Sequence, residues 1–129
     1  MREIPKNRAM NTNAFIHQLP AMAKELPFAI TVCDTEGNIL YMNDRSISTF
    51  HKYGGADIIG TSLFLYHHGP AADKLRELLE TETNNAYTIE KNDIKKLIYQ
   101  SPWYKDSKFA GLIELSLVIP MEMSHFVRQ

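Results

Sequence analysis

The chain has 129 residues, enough for one domain with its own core and too few for two. With 44% hydrophobic and 22% charged residues it has the make-up of a globular protein, which excludes a disordered polymer, and no stretch reaches the roughly 18 apolar residues of a membrane span. A net charge of −1, from 14 basic and 15 acidic residues spread along the chain, leaves no basic footprint for nucleic acid, and the single cysteine excludes an internal disulfide or a thiolate metal cluster.

The first residues lack the apolar run of a secretion signal, so the expected compartment is the cytoplasm. Residues 1–12, polar and broken by Pro5, read as a flexible leader. Residues 13–26 form an N-terminal helical segment, with Asn13 as cap of a short helix. Pro20 would clash with the carbonyl of Ile16 in a continuous helix, so two abutting short helices are expected, the second running from Pro20 to Leu26. Phe15, Leu19, Met22 and Leu26, spaced four, three and four, make an apolar seam that lies either on the domain or on a twin chain.

Residues 28–33 are rich in β-formers, Asp34-Thr35-Glu36-Gly37 is a turn tetrad, and residues 39–42 are the returning strand of a hairpin. Asn43 or Asp44 caps a helix bearing Ile47, Phe50 and His51, which stops at Gly54-Gly55. Residues 56–65 read as a short helical turn or irregular connection. Pro70 opens a helix through Thr81, with Leu75, Leu78 and Leu79 on its apolar face. Residues 86–91, 95–104 and 109–120 are three strands joined by the polar connections Asn92-Asp93 and Asp106-Ser107-Lys108. A hairpin and a meander with helices between them predict an α+β domain, a five-stranded antiparallel sheet with helices over one face.

This order and its punctuation resemble the PAS family. The resemblance rests on the opening Leu26-Pro27-Phe28, the strand-to-turn run Cys33-Asp34-Thr35-Glu36-Gly37, the exit Ile39-Leu40-Tyr41-Met42-Asn43, and Ile58-Ile59-Gly60 before the central helix. Lys95-Lys96-Leu97-Ile98-Tyr99 and Phe109-Ala110-Gly111-Leu112 look like the last two PAS strands. It implies a sheet order of 2-1-5-4-3, a PAS-like domain over residues 27–120, a C-terminal tail over 121–129, and a pocket between helices and sheet. Where many PAS domains end on an Asp-Ile-Thr-like triad, this chain has Val118-Ile119-Pro120. The tail is too short for an output domain, so output is expected through a homodimer or a separate protein such as a kinase or transcription regulator, unless the chain is a sensor severed from a longer protein.

The pocket candidates are Thr31, Cys33, Phe50, His67, His68, Leu97, Tyr99, Glu114 and Ser116. His67 or His68 would supply an axial ligand in a haem-binding PAS sensor; adjacent histidines diverge, so at most one faces inward, and the competing reading leaves both in solvent or at the N-terminus of the following helix. Flavin-binding light sensors resemble this fold, but their reactive cysteine starts a helix whereas Cys33 ends a strand. Cys33 is therefore read as a small apolar group lining the pocket. No haem, flavin or metal signature is present.

Residues 111–119 alternate, and pattern alone sends Ile113, Leu115, Leu117 and Ile119 to the core. An inward Glu114 would instead be a buried carboxylate with a raised pKa. Tyr87, Tyr99, Trp103 and Tyr104 are strand aromatics able to stack on a flat ligand or simply to pack. No catalytic constellation appears. The expected function is a non-enzymatic sensory module binding a small, largely apolar ligand. The alternative is a ligand-free interaction domain with a filled core, and a small enzyme built on Glu114 and a histidine is the third reading.

Overall fold

The computed structural model describes residues 12–129, with side chains described from Gln18 onward. Apart from Thr12, the leader assigned to residues 1–12 lies outside the described residues, as do the side chains of Asn13, Phe15 and Ile16. The elements are α1 (Thr12–Lys24), β1 (Ala29–Cys33), β2 (Ile39–Met42), α2 (Asp44–Thr49), α3 (Pro70–Thr81), β3 (Asn85–Lys91), β4 (Ile94–Lys105) and β5 (Lys108–Ile119). Three 3-10 turns, His51–Tyr53, Gly55–Ile58 and Leu63–Leu65, join α2 to α3.

All pairings are antiparallel and the strand order is β2-β1-β5-β4-β3, the order the resemblance implies. The hairpins of the meander turn on two residues each, both in the left-handed region: Asn92 and Asp93, then Asp106 and Ser107. Two consecutive positive φ values match the right-handed twist of the flanking strands, and Asn and Asp tolerate them best after glycine. Lys108, read as part of the connection, already pairs with Lys105.

Two expectations are corrected. The N-terminal segment is one helix, α1, which runs through Pro20. The proline removes one ladder bond, but the helix ends a turn later at Lys24, so little of it depends on that bond. The second correction concerns the faces of β5. Cys33 pairs with Leu112, Thr31 with Glu114 and Ala29 with Ser116, and this set faces the helices. Ile113, Leu115, Leu117 and Ile119 stand on the opposite face, half-buried.

Gly111 holds this arrangement: its φ is 142°, and a Cβ there would overlap the carbonyl oxygen of Cys33. That oxygen also accepts the Trp103 indole N–H at 2.9 Å. Close approach of β5 to β1 therefore needs a residue without a side chain at position 111. The core packs Cys33, Ile39, Met42 and Leu112 from the sheet against Ile58, Leu63, Leu75 and Leu78 from the helical side.

Asn43 joins three elements. It is fully buried, with Oδ1 accepting from Ile30 N–H at 2.8 Å and from Ser46 N–H at 3.1 Å as the N-cap of α2. Nδ2 donates to the Phe28 carbonyl at 2.8 Å and to the Ala23 carbonyl at 3.1 Å, in the last turn of α1. Both hydrogens and both lone pairs of the amide are thus used.

Asn43→Ala is expected to cost about 3 kcal/mol or more, the sum of a lost cap and unpartnered buried groups. Asn43→Asp keeps the cap but sets a carboxylate against two carbonyl oxygens, so it should also destabilise at neutral pH and recover in part as the pH falls and the carboxyl gains a proton. Urea midpoints measured across pH check both; an Asp variant as stable as the wild type would refute the assigned role.

Candidate functional site

The paired register sets four polar side chains in one row across the helix-facing side of the sheet: Thr31 on β1, Glu114 on β5, Gln100 on β4 and Asn85 on β3. Asn85 Nδ2 donates to Gln100 Oε1 at 2.9 Å, and Gln100 Nε2 donates to Glu114 Oε1 at 2.9 Å. At the other end, the Thr31 and Ser46 hydroxyls share a hydrogen bond of 2.5 Å, which fastens the row to α2. Period-two alternation puts such residues on one face, and antiparallel pairing puts them opposite one another.

Over this row lies an enclosed hollow of about 30 Å³, lined by Thr31, Cys33, Leu63, His67, Leu75, Gln100, Leu112 and Glu114. That is room for one or two water-sized groups. A larger depression of about 180 Å³ shares Thr31, His67 and Glu114 with the hollow and adds Phe50, Tyr87, Lys96, Ile98 and Ser116. A third space of about 360 Å³, open towards solvent, runs from His67 past Lys74 and Tyr87 at the start of α3.

Of the sequence candidates, the structure therefore brings Thr31, Cys33, Phe50, His67, Glu114 and Ser116 together. Leu97 and Tyr99 are corrected: Leu97 pairs with Leu117 and Tyr99 with Leu115, on the far face of the sheet, where the Tyr99 hydroxyl accepts from Asn84 Nδ2. His68 is also corrected, because it is exposed and lines none of these spaces, while His67 turns inward. Gln100 and Asn85 were missed. Neither stands in a motif, and only the strand register would have placed them beside Glu114.

The environment sets the protonation of these groups. Burial pushes the Glu114 carboxyl above the usual carboxylate range, against the opposing pull of the Gln100 hydrogen bond and the nearby His67. Burial likewise raises the Cys33 thiol, which stays protonated at neutral pH and behaves as an apolar group, not as a nucleophile. The Tyr87 phenol is raised by burial and then by Glu114. A carboxyl and an imidazole on one hollow can exchange a proton with a bound molecule. Among the described residues no group of three side chains is arranged to hold a metal ion. The hollow has no room for a haem or flavin ring, so the axial-ligand reading of His67 and His68 finds no fit there.

Glu114 makes stability depend on pH. Its native pKa is raised above the unfolded value, so its contribution is fully present below the ordinary carboxylate range and is lost as the pH rises through the native value. Glu114→Gln removes this titration while keeping an acceptor for Gln100. The stability of the variant relative to wild type is therefore expected to grow as the pH rises from about 4.5 and to level off above the native pKa. Parallel urea midpoints for the two proteins across that range would show that Glu114 is not held in a desolvating site.

A family model described as PAS fold matches residues 23–100 of the chain. Comparison with curated proteins returns no match. Among solved structures, the PAS domain of an HTR-like protein from Haloarcula marismortui is 16% identical with a TM-score of 0.60, over 83% of this chain and 93% of that one. A C-terminal domain from Streptococcus mutans is 17% identical with a TM-score of 0.64, over 80% and 84% of the respective chains. Vibrio cholerae VqmA, in a structure bound to DPO, is 19% identical with a TM-score of 0.59, over 82% of this chain and 58% of its own. On the family model, which covers more than half of the sequence, and on a sheet order shared with its PAS expectation, the chain belongs to the PAS fold family.

Proposed function

We propose that this chain is a cytoplasmic sensory module that takes a small molecule between its helices and its sheet. It passes the bound state to a twin chain or to a separate output protein. The observation that carries the reading is the hollow with Thr31, His67, Gln100 and Glu114 on its wall, beside a larger depression that shares three of these residues. Buried polar groups that converge on a space are what a binding site needs for orientation and specificity. Their number replaces the largely apolar ligand expected from the sequence with one that has a polar head. VqmA, similar in fold, is seen bound to DPO, and DPO belongs in any panel of trial ligands.

A second reading has its own support. The closed part of the hollow is small, as expected of an interaction domain with a filled core and no ligand. The two readings separate on ligand-linked stability, because a molecule that binds only the native state raises the melting temperature by mass action. DPO, small amines, alcohols, carboxylic acids and fatty acids, each at millimolar concentration, should include at least one that raises it by a few degrees and remains bound in native mass spectrometry. Silence across the panel would favour the filled-core reading.

Dimerisation belongs to the same proposal. Leu19 and Met22 on α1 are 41% and 45% exposed, and Leu26 is half-buried, so the predicted seam presents apolar surface; the Phe15 side chain lies outside the described residues. Light scattering at tens of micromolar is expected to give twice the chain mass, and Leu19→Glu to halve it while the fold persists. A monomeric wild type would end the dimer proposal.

A further inference from the structure

Three groups on the enclosed hollow keep an unused lone pair. Glu114 Oε1 is occupied by Gln100 Nε2, while no group among the described residues hydrogen-bonds its Oε2. Gln100 is held in this orientation because its own Oε1 accepts from Asn85. His67 Nδ1 stands 3.0 Å from the Leu63 carbonyl oxygen, which can only accept, so the proton of the neutral ring is on Nδ1 and Nε2 presents a lone pair. Thr31 Oγ1 retains a lone pair whichever hydroxyl donates in its bond with Ser46.

A wall of acceptors selects a donor, and the size of the space selects which one. The enclosed part admits one or two water-sized groups, while the adjoining depression, with Ala29, Phe50, Tyr87 and Ile98 on its walls, admits a larger apolar body. A primary ammonium is a compact head with three N–H donors on one centre. A hydroxyl offers one donor, and a quaternary ammonium offers none.

We infer that the hollow binds a primary amine in its ammonium form, with the head on Glu114, His67 and Thr31 and an apolar tail lying along Phe50, Tyr87 and Ile98. This names the ligand class for the sensory reading above and rests on it. A buried carboxylate without a counter-charge is costly, and an ammonium against Glu114 removes that cost where a neutral head does not.

Charge around the site sets the pH dependence. The titratable groups facing Glu114 are His67 before α3, Cys33 on β1 and Tyr87 on β3. The thiol and the phenol, both raised from values already above neutral, are protonated at neutral pH. Lys96 is four residues along β4 from Gln100, about 13 Å down the strand, at the far end of the depression. Lys74, on the neighbouring open space, is paired with Glu77 at 2.8 Å. Ammonium binding needs Glu114 ionised, so affinity rises with pH.

Calorimetric titration of the full chain with 2-phenylethylamine, 2-phenylethanol and phenethyltrimethylammonium, at about pH 5.5 and 7.5, tests this. The amine should bind about tenfold or more tighter than either analogue, and tighter at the higher pH. Glu114→Gln should lose about tenfold in amine affinity without losing its cooperative unfolding transition. The comparison of the three compounds on wild type stands whether or not that variant folds. Equal binding of the amine and the alcohol, or binding that weakens as pH rises, would overturn the ammonium assignment, as would no amine binding by a protein that responds to a neutral compound of the wider panel. In those cases ligand sensing itself would stand, whereas silence towards every compound in both experiments would remove both readings.

Discussion

The buried amide of Asn43 is the constraint on which the rest of the molecule depends. It fixes where α1 ends, where β1 begins and where α2 starts, through four hydrogen bonds to three elements. Asn43 N–H also donates to the Ile30 carbonyl at 3.1 Å, so the amide sits inside the β1–β2 ladder and not beside it. The exposed Lys24–Asp44 ion pair at 3.0 Å spans the same junction. It contributes little by comparison, since solvent screens exposed pairs while a buried amide left unpartnered bears its full desolvation cost.

With that junction set, the polar row follows from register. Ile30 is held by Asn43, so Thr31 faces the helices. Pairing then carries Glu114, Gln100 and Asn85 onto the same face. Gly111 completes the arrangement by letting β5 approach the Cys33 carbonyl. The hollow is thus a consequence of placing hydrogen-bonding side chains where a core would otherwise put aliphatic ones. Each is tied on one side by a hydrogen bond to a neighbour, and the proposed binding role rests on the lone pairs left on the other side.

Much of this could be read in the sequence, and the parts that could not share a cause. Turn chemistry is local, so Asp34 to Gly37, Asn92-Asp93 and the proline opening of α3 were legible. Half of the role of Asn43 was legible too, since capping depends on the two or three residues that follow. Its other half was not, because the carbonyls of Ala23 and Phe28 come to it only through tertiary packing. The same holds for β5. Alternation separates two sets of residues but does not say which set faces the helices when both faces carry apolar side chains, and pattern alone chose Ile113, Leu115 and Leu117. Gln100 carried no signal because its importance lies wholly in its cross-strand partners. Pro20 misled in the opposite direction: a local rule was applied as absolute, and α1 runs through the proline.

The hydrogen bonds also trace a route out of the hollow. Thr31, on its wall, is bonded to Ser46; the Ser46 N–H is held by Asn43 Oδ1; and Asn43 Nδ2 reaches the last turn of α1. Each step is a hydrogen bond between buried or half-buried groups, so a displacement at Thr31 cannot be absorbed by solvent before it reaches α1. Contiguity alone does not transmit a signal, because a ligand shifts an equilibrium only by its difference in affinity for two arrangements. On the proposed sensory reading, the two arrangements would differ at the Thr31–Ser46 pair. A ligand that takes a lone pair of Thr31 leaves the bond to Ser46 in place, whereas one that offers an acceptor competes for the hydroxyl hydrogen and loosens α2 at its first turn. On the proposed sensory reading, the donor or acceptor character of the head group, more than its size, would decide whether α1 is held or released.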